Sequence, residues 1–339
     1  MAFTLINQSG TLCHDSGPLN RGIKKMKLLE RTFELRGPEG LGAKPRPGLI
    51  GPVLGRVRDT LLDSVRMGFL HSSRALGRVP LCLQGAADVR FIGHAAGQND
   101  STILRFEVPE FGSVAGELFE QGQLWNSGPK PEQTAFDLLA ASLRDVRQMA
   151  RNSERFDHAL LRRFASYRHL LRHGLSSIAL PHANASEVES IDEPLSAAAE
   201  SLFRETPPAR RVRLCGRLDL LAVSKRVLGL YLEDGAPVRA VWTIEGFVDL
   251  ADFLDKQVVI EGLAEFRPSG TLLRVDADAI RDAGAGDASF STLPLPEVHR
   301  NYQKAAAVRP GQKPYASIFG LIPGEESDEE FAAAVAELS

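Results

Sequence analysis

The feature that most constrains the fold is a series of period-two alternations between Arg210 and Arg281. In RRVRLCGRLDLL, Val212, Leu214, Leu218 and Leu220 fall on one face, and Arg211, Arg213, Arg217 and Asp219 on the other. Successive side chains of a strand point to opposite sides, so this pattern predicts a half-buried strand. The following run, VLGLYLEDGAPVRAVW, predicts a hairpin with Leu228, Leu230 and Leu232 inward and a turn at Asp234-Gly235, a pair that supplies the positive φ such turns need. A second hairpin, QVVIEGLAEFRPSGTLLRVDADAI, turns at Pro268, Ser269 and Gly270. Between the hairpins, IEGFVDLADFLD (Ile244 to Asp255) predicts a helix.

Five strands with a helix between the third and fourth follow the order of an OB-type barrel, and closure removes exposed strand edges. The run VVIEGLAEFRPSGTLLRVDADAI resembles the last two strands of nucleic-acid-binding OB domains. The resemblance implies a binding function on DNA or RNA. Binders of single strands combine a basic groove with aromatic platforms on which bases stack. The outward row Arg211, Arg213 and Arg217, with Lys225, Arg226 and Tyr231, supplies those residue types and forms the candidate nucleic-acid contact. Acidic residues nearly balance basic ones over the barrel, so a protein-docking or purely structural barrel is the competing reading.

At 339 residues the chain exceeds one compact core. The sequence predicts an α+β multidomain protein: a disordered extension at 1–25, a basic α+β domain at 26–175, a linker at 176–208, the five-stranded OB-type barrel at 209–284, and a tail at 285–339 ending in a short acidic helix. In the α+β domain, Val53, Val57, Leu61 and Val65 stand four apart, the spacing of one helix face over Val53 to Leu70. ADVRFIG and STILRFEVPEF, separated by HAAGQND, predict a β-hairpin. Two more helices are expected over Gln133 to Arg151 and Phe156 to His173, the last stopped by Gly174. The segment 176–208 is rich in Ser, Ala, Glu and Pro, which suits a linker carrying one short helix.

Charge is unevenly spread. Eight basic residues lie between Lys44 and Arg90 against Asp59, Asp63 and Asp88. On the helix Phe156 to His173, Arg162, Arg163, Arg168 and Arg172 flank the apolar stripe and are candidates for a phosphate backbone, the alternative being a solvated face. His169 and His173 share a helix face, but no glutamate follows His169 and no third ligand can be named, so the two are read as a surface pair beside arginines and no metal site is assigned.

The end of the sequence is acidic. Ser327 and Glu330 form a capping box, and Phe331, Val335 and Leu338 then make one apolar stripe on a helix too short to be stable alone. Either the stripe docks on the chain's own core, or it recognises a partner as a helix in a groove, with Phe319 and Ile322 as further anchors. Pro323, Gly324, Glu325, Glu326, Asp328, Glu329 and Glu330 are similar to the tails of antitoxins that accompany PIN-domain ribonuclease toxins. That resemblance implies a nuclease partner whose active site the arm blocks. The chain departs from a simple antitoxin in its length and in lacking a recognisable helix-turn-helix or ribbon DNA-binding domain.

No phosphate-binding loop, nucleophile elbow or dinucleotide fingerprint is present, so no catalytic residues and no cofactor are assigned. Asp88, Glu107 and Glu110 flank the first hairpin, but Val108 and Pro109 stand where a nuclease of the Asp…Glu-x-Lys type needs its lysine. A hydrolase of unrecognised type in the α+β domain is the alternative to a non-enzymatic binding protein. Three scattered cysteines, Cys13, Cys82 and Cys215, suggest neither a disulfide framework nor a zinc site, and no apolar run is long enough to span a bilayer. A cytoplasmic location is expected.

Overall fold

A computed structural model describes residues 27–37, 41–74, 81–119, 128–180, 188–222, 226–243 and 250–296. The predicted extension at 1–25 and the tail beyond residue 296 lie outside them. Among the described residues there are two hydrophobic cores, one in an α+β unit and one in a closed barrel.

The first unit contains β1 (Leu28–Arg36), α1 (Pro47–Leu70), α2 (Leu81–Ala86), β2 (Arg90–Ala96), β3 (Thr102–Pro109), α3 (Phe111–Val114), α4 (Ala135–Arg147), α5 (His158–Ser166), α6 (Arg168–Arg172), β4 (Ser177–Leu180), β5 (Glu189–Asp192) and α7 (Glu193–Glu205). Its strands form a sheet in the order β2-β3-β1-β4-β5, every neighbouring pair antiparallel. Alternation places Phe33, Leu35, Leu104, Phe106 and Val108 in the core. Glu30 and Arg105 on the opposite face remain in solvent and pair with one another at 2.6 Å. Phe33 meets Phe106 edge-on and Phe136 of α4, so aromatic packing joins the sheet to its helices.

The predicted β2–β3 hairpin forms, with Asn99 and Asp100 at positive φ in its turn. The helix expected from Val53 starts six residues earlier, at Pro47. Proline suits a helix start because its missing N–H has no partner there, and Pro52 lies on the exposed side of the early turns. The single helix expected over Phe156 to His173 is instead two, broken at Tyr167. Asp157 caps the first by accepting from the amide of Leu160.

The segment read as a linker, 176–208, is a structural part of the first unit. It supplies β4, β5 and α7, and Ile178, Leu180, Ile191, Leu195, Ala199 and Leu202 all enter the first core. Leu195, Ala199 and Leu202 stand at i, i+4 and i+7 of one amphipathic helix, a stripe that the surrounding Ser, Ala and Glu residues obscured.

The barrel contains β6 (Arg210–Ala222), β7 (Val227–Tyr231), β8 (Pro237–Trp242), β9 (Gln257–Phe266) and β10 (Leu272–Asp282). It closes in the order β10-β8-β7-β6-β9, with β10 parallel to β8 and the other pairs antiparallel. This is the OB strand order. Two glycines allow the backbones to approach. A Cβ on Gly216 would lie 2.7 Å from the Tyr231 carbonyl oxygen, and one on Gly262 would lie 2.2 Å from that of Asp276. Leu228, Leu230 and Leu232 point inward as expected. Leu220 does not: a register shift between Leu218 and Leu220 turns Leu221 toward the core in its place. Of the helix expected over 244–255, residues 250–253 form a 3-10 turn whose Leu250 and Phe253 pack on the barrel, and 244–249 lie outside the described residues.

Candidate nucleic-acid interface

OB barrels take oligonucleotides on the face of their second and third strands, between the loop joining strands one and two and the loop joining strands four and five. Here those strands are β7 and β8, and much of that face is already engaged. In the β9–β10 loop, Ser269 donates its amide to the Arg151 carbonyl, and Arg267 Nη2 lies 2.9 Å from Glu154. Arg239 of β8 is buried and directs Nη1 to the same carboxylate at 3.6 Å. Burial pulls the Arg239 guanidinium down to about 10, against the pull of Glu154.

Deeper in this junction lies Arg274 of β10. Its side chain is 1% exposed and contacts Asp276 at 2.7 Å, the His71 carbonyl at 3.0 Å and Asp157 at 3.3 Å. Asp157 also accepts from the Ser73 amide and hydroxyl. Burial alone pushes its carboxyl upward, but Arg274, Ser73 and the Leu160 amide outweigh that and hold it below the usual carboxylate value. Next in the chain, Leu273 belongs to the first core. The barrel is therefore fastened to the first unit along the loop and strand that other OB barrels leave for a ligand.

The predicted contacts on β6 lie elsewhere on the barrel. Arg211, Arg213 and Arg217 are exposed on its outer face as expected, yet each has a carboxylate partner. Arg211 binds Asp278 through two bonds of 2.7 and 2.9 Å, Arg213 meets Glu261 at 2.9 Å, and Arg217 meets Asp219 at 3.0 Å. Arg213 also lies over the ring of Phe290, 6.0 Å from its centroid. Tyr231 stands directly opposite Arg217 in the β6–β7 register and is half-buried. Arg226 is half-buried at φ 53 before β7, with its carbonyl accepting from Trp242, and Lys225 lies outside the described residues.

The four arginines expected to share a basic helix face are divided by the structure. Arg163 is held by Asp63 at 2.5 Å, and Arg168 by Glu193 at 2.6 Å and Glu200 at 3.0 Å. Arg162 and Arg172 are exposed, and among the described residues no carboxylate pairs with either. Asp63 is largely buried, and that burial raises its carboxyl despite Arg163 and Arg66. Over residues 26–175 Lys plus Arg outnumber carboxylates, and the two become equal only when the acidic segment 176–208 is included.

His169 and His173 form an exposed edge-on pair with ring centroids 4.4 Å apart. Among the described residues no group of three or more His, Cys, Asp or Glu could hold a metal ion, and no helix is long and apolar enough to cross a membrane. Asp88 and Glu110 at the first hairpin are paired with Arg90 and Lys27. The candidate partner contacts Phe319, Ile322, Asp328, Glu329, Glu330, Phe331, Val335 and Leu338 all lie outside the described residues.

No family model matches the chain, and no curated protein matches it. Among solved structures the chain is similar to one described as U. maydis replication protein A bound to ssDNA. The match covers 32% of this chain and 84% of that one, at 17% identity and a TM-score of 0.17. Superposition this loose establishes neither fold nor function, and the barrel's assignment rests on its own strand order and closure.

The sequence offered no sign of the junction. Arg274 and Asp276 alternate with inward Val275 and Ala277, the pattern of any solvated strand face, and only the approach of the first unit makes that face an interior.

Proposed function

We propose that the chain is a non-enzymatic nucleic-acid-binding protein that holds a single strand on the outer face of β6 and β7. The observation that carries this reading is the cross-strand pair of Tyr231 and exposed Arg217, an aromatic ring beside a guanidinium, with Arg213 and Arg211 continuing along the same strand face. Their carboxylate partners do not block it. Exposed ion pairs contribute only about 0–1 kcal/mol each, so an arriving phosphate replaces a carboxylate at little cost. The engaged β8 and β9–β10 surfaces shorten the available track, which makes the expected affinity modest and strongly salt-dependent.

The test is fluorescence anisotropy of labelled oligo-dT and oligo-U at low and moderate salt. Binding should weaken about ten-fold in Tyr231→Ala, in line with about 1–3 kcal/mol per stacked base, and Arg217→Ala should reduce the salt slope by roughly one phosphate contact. Unchanged binding in both variants, or none at low salt, overturns the proposal.

What supports a partner arm is the sequence pattern of 319–338 alone, matched in chemistry to a basic or metal-bearing cleft such as that of a nuclease. Phe331→Asp with Val335→Asp should abolish co-purification of such a partner and leave the melting temperature unchanged. A large fall in melting temperature would instead assign the stripe to the chain's own core.

A further inference from the structure

Away from the β6–β7 face, the first unit contains a cavity of about 360 Å³ between the last turns of α1, the start and middle of α4, and the segments at 128–133 and 153–155. That volume falls within the range of small-molecule sites, which occur preferentially where two units meet. This cavity does adjoin the junction, because Glu154 and His71 line it and also bind the barrel's arginines.

Its walls combine an apolar floor with a charge balance that selects one kind of ligand. Leu138 and Ala141 are partly exposed and give the floor; Met67 and Pro129 also line it but are themselves buried. The two carboxylates in the lining are already occupied. Asp145 accepts from Ser153 at 2.6 Å and from Arg155 at 2.9 and 3.0 Å, and Glu154 is shared by Arg267 and Arg239. The buried hydroxyls are also engaged: Ser142 Oγ donates toward the Leu138 and Arg155 carbonyls, and Ser64 Oγ to that of Thr60. Lys130 differs. It is exposed at the rim, and among the described residues no carboxylate meets its ammonium group.

We infer that this cavity binds a small organic monoanion, its apolar body resting on Leu138 and Ala141 and its carboxylate, sulfonate or phosphate head taken by Lys130. A cationic ligand finds both carboxylates neutralised, and a purely polar one leaves the Leu138 and Ala141 floor in contact with polar groups that it cannot hydrogen-bond. The site is separate from the strand face proposed for nucleic acid, so either reading can fail alone.

The probe is 8-anilinonaphthalene-1-sulfonate, an apolar aromatic monoanion, titrated into the full chain and followed by its fluorescence. One saturable site is expected. Lys130→Glu, at an exposed position with no ion pair to lose, should weaken it ten-fold or more, and Ala141→Phe, which places a ring in the cavity, should abolish it. Melting curves of both variants identify any general loss of fold, and Lys130→Glu decides the matter if Ala141→Phe does not fold. Binding that is not saturable, or equal affinity in wild type and Lys130→Glu, overturns the assignment.

Discussion

Replacing Arg274 with Met tests whether the junction is an interior of the protein or an incidental contact. The guanidinium is 1% exposed and Asp157 3%, so neither charge is solvated once its partner is gone. Met reproduces most of the apolar stem but leaves Asp157 and Asp276 without their cation. Removing one member of a buried pair costs about 3–5 kcal/mol, because the remaining charge stays in a low-dielectric site. Asp157 keeps the Ser73 hydroxyl and the Ser73 and Leu160 amides, which places the expected loss at the lower end, about 3 kcal/mol. For a chain of this size that lowers Tm by about 4 °C. The assay is urea denaturation followed by circular dichroism, repeated for Asp157→Asn and for the double variant. The double variant should be destabilised by at least about 1 kcal/mol less than the sum of the singles, the signature of direct coupling. A cost below about 1 kcal/mol for Arg274→Met, or additivity within error, refutes the argument and shows that the junction opens readily to water.

Further outcomes follow from the same structure. Leu202→Ala in α7 should cost about 2–5 kcal/mol by equilibrium denaturation, because Leu202 is fully buried in the first core; a cost near zero would restore the linker reading. Gly262→Ala should destabilise the barrel by about 1–3 kcal/mol or more, since its Cβ meets the Asp276 carbonyl oxygen at 2.2 Å and Ala277 Cα at 2.8 Å. A neutral effect on the melting curve would show that the β9 and β10 backbones separate easily. Acid titration should reveal Asp157: its folded value lies below its unfolded one, so its contribution is complete above the unfolded value of about 3.9 and is lost as pH falls through the folded value. Asp157→Asn should flatten the acid limb of the stability curve, and an unaltered limb would assign acid unfolding to other carboxylates. Tyr167 gives the opposite sign. Burial pushes its phenol up to about 12, despite the hydrogen bond to Thr60, so stability should decline as pH rises from about 10 through that value, and Tyr167→Phe should remove this part of the alkaline limb in spectroscopic titration.

Much of the barrel was readable from the sequence because a closed small barrel has one inward and one outward row per strand. Val212, Leu214 and Leu218 inside with Arg211, Arg213 and Arg217 outside required only the two-residue period of a strand. That period failed at Leu220, where a bulge adds a residue to one strand and reverses the facing of those beyond it. The helices of the first unit were equally visible where apolar residues stood three and four apart. Their breaks were not, because the turn at Tyr167 depends on how α5 and α6 pack against α7 and on the buried bond between Tyr167 and Thr60.

By itself the sequence determined the local periods: which stretches are strands or helices, the five-strand order that closes as an OB barrel, and the outward basic row on β6. These follow from side chains a few residues apart, which is the range over which periodicity carries information. The tertiary structure alone decided that β4, β5 and α7 belong to the first core, that the β9–β10 loop and Arg239 are docked on the first unit, and that Arg163 and Arg168 are paired whereas, among the described residues, no carboxylate pairs with Arg162 or Arg172. Each of those outcomes depends on a partner far away in the chain. An arginine on a strand is written the same way whether its outward face meets water or, as at Arg274, a buried aspartate 117 residues away.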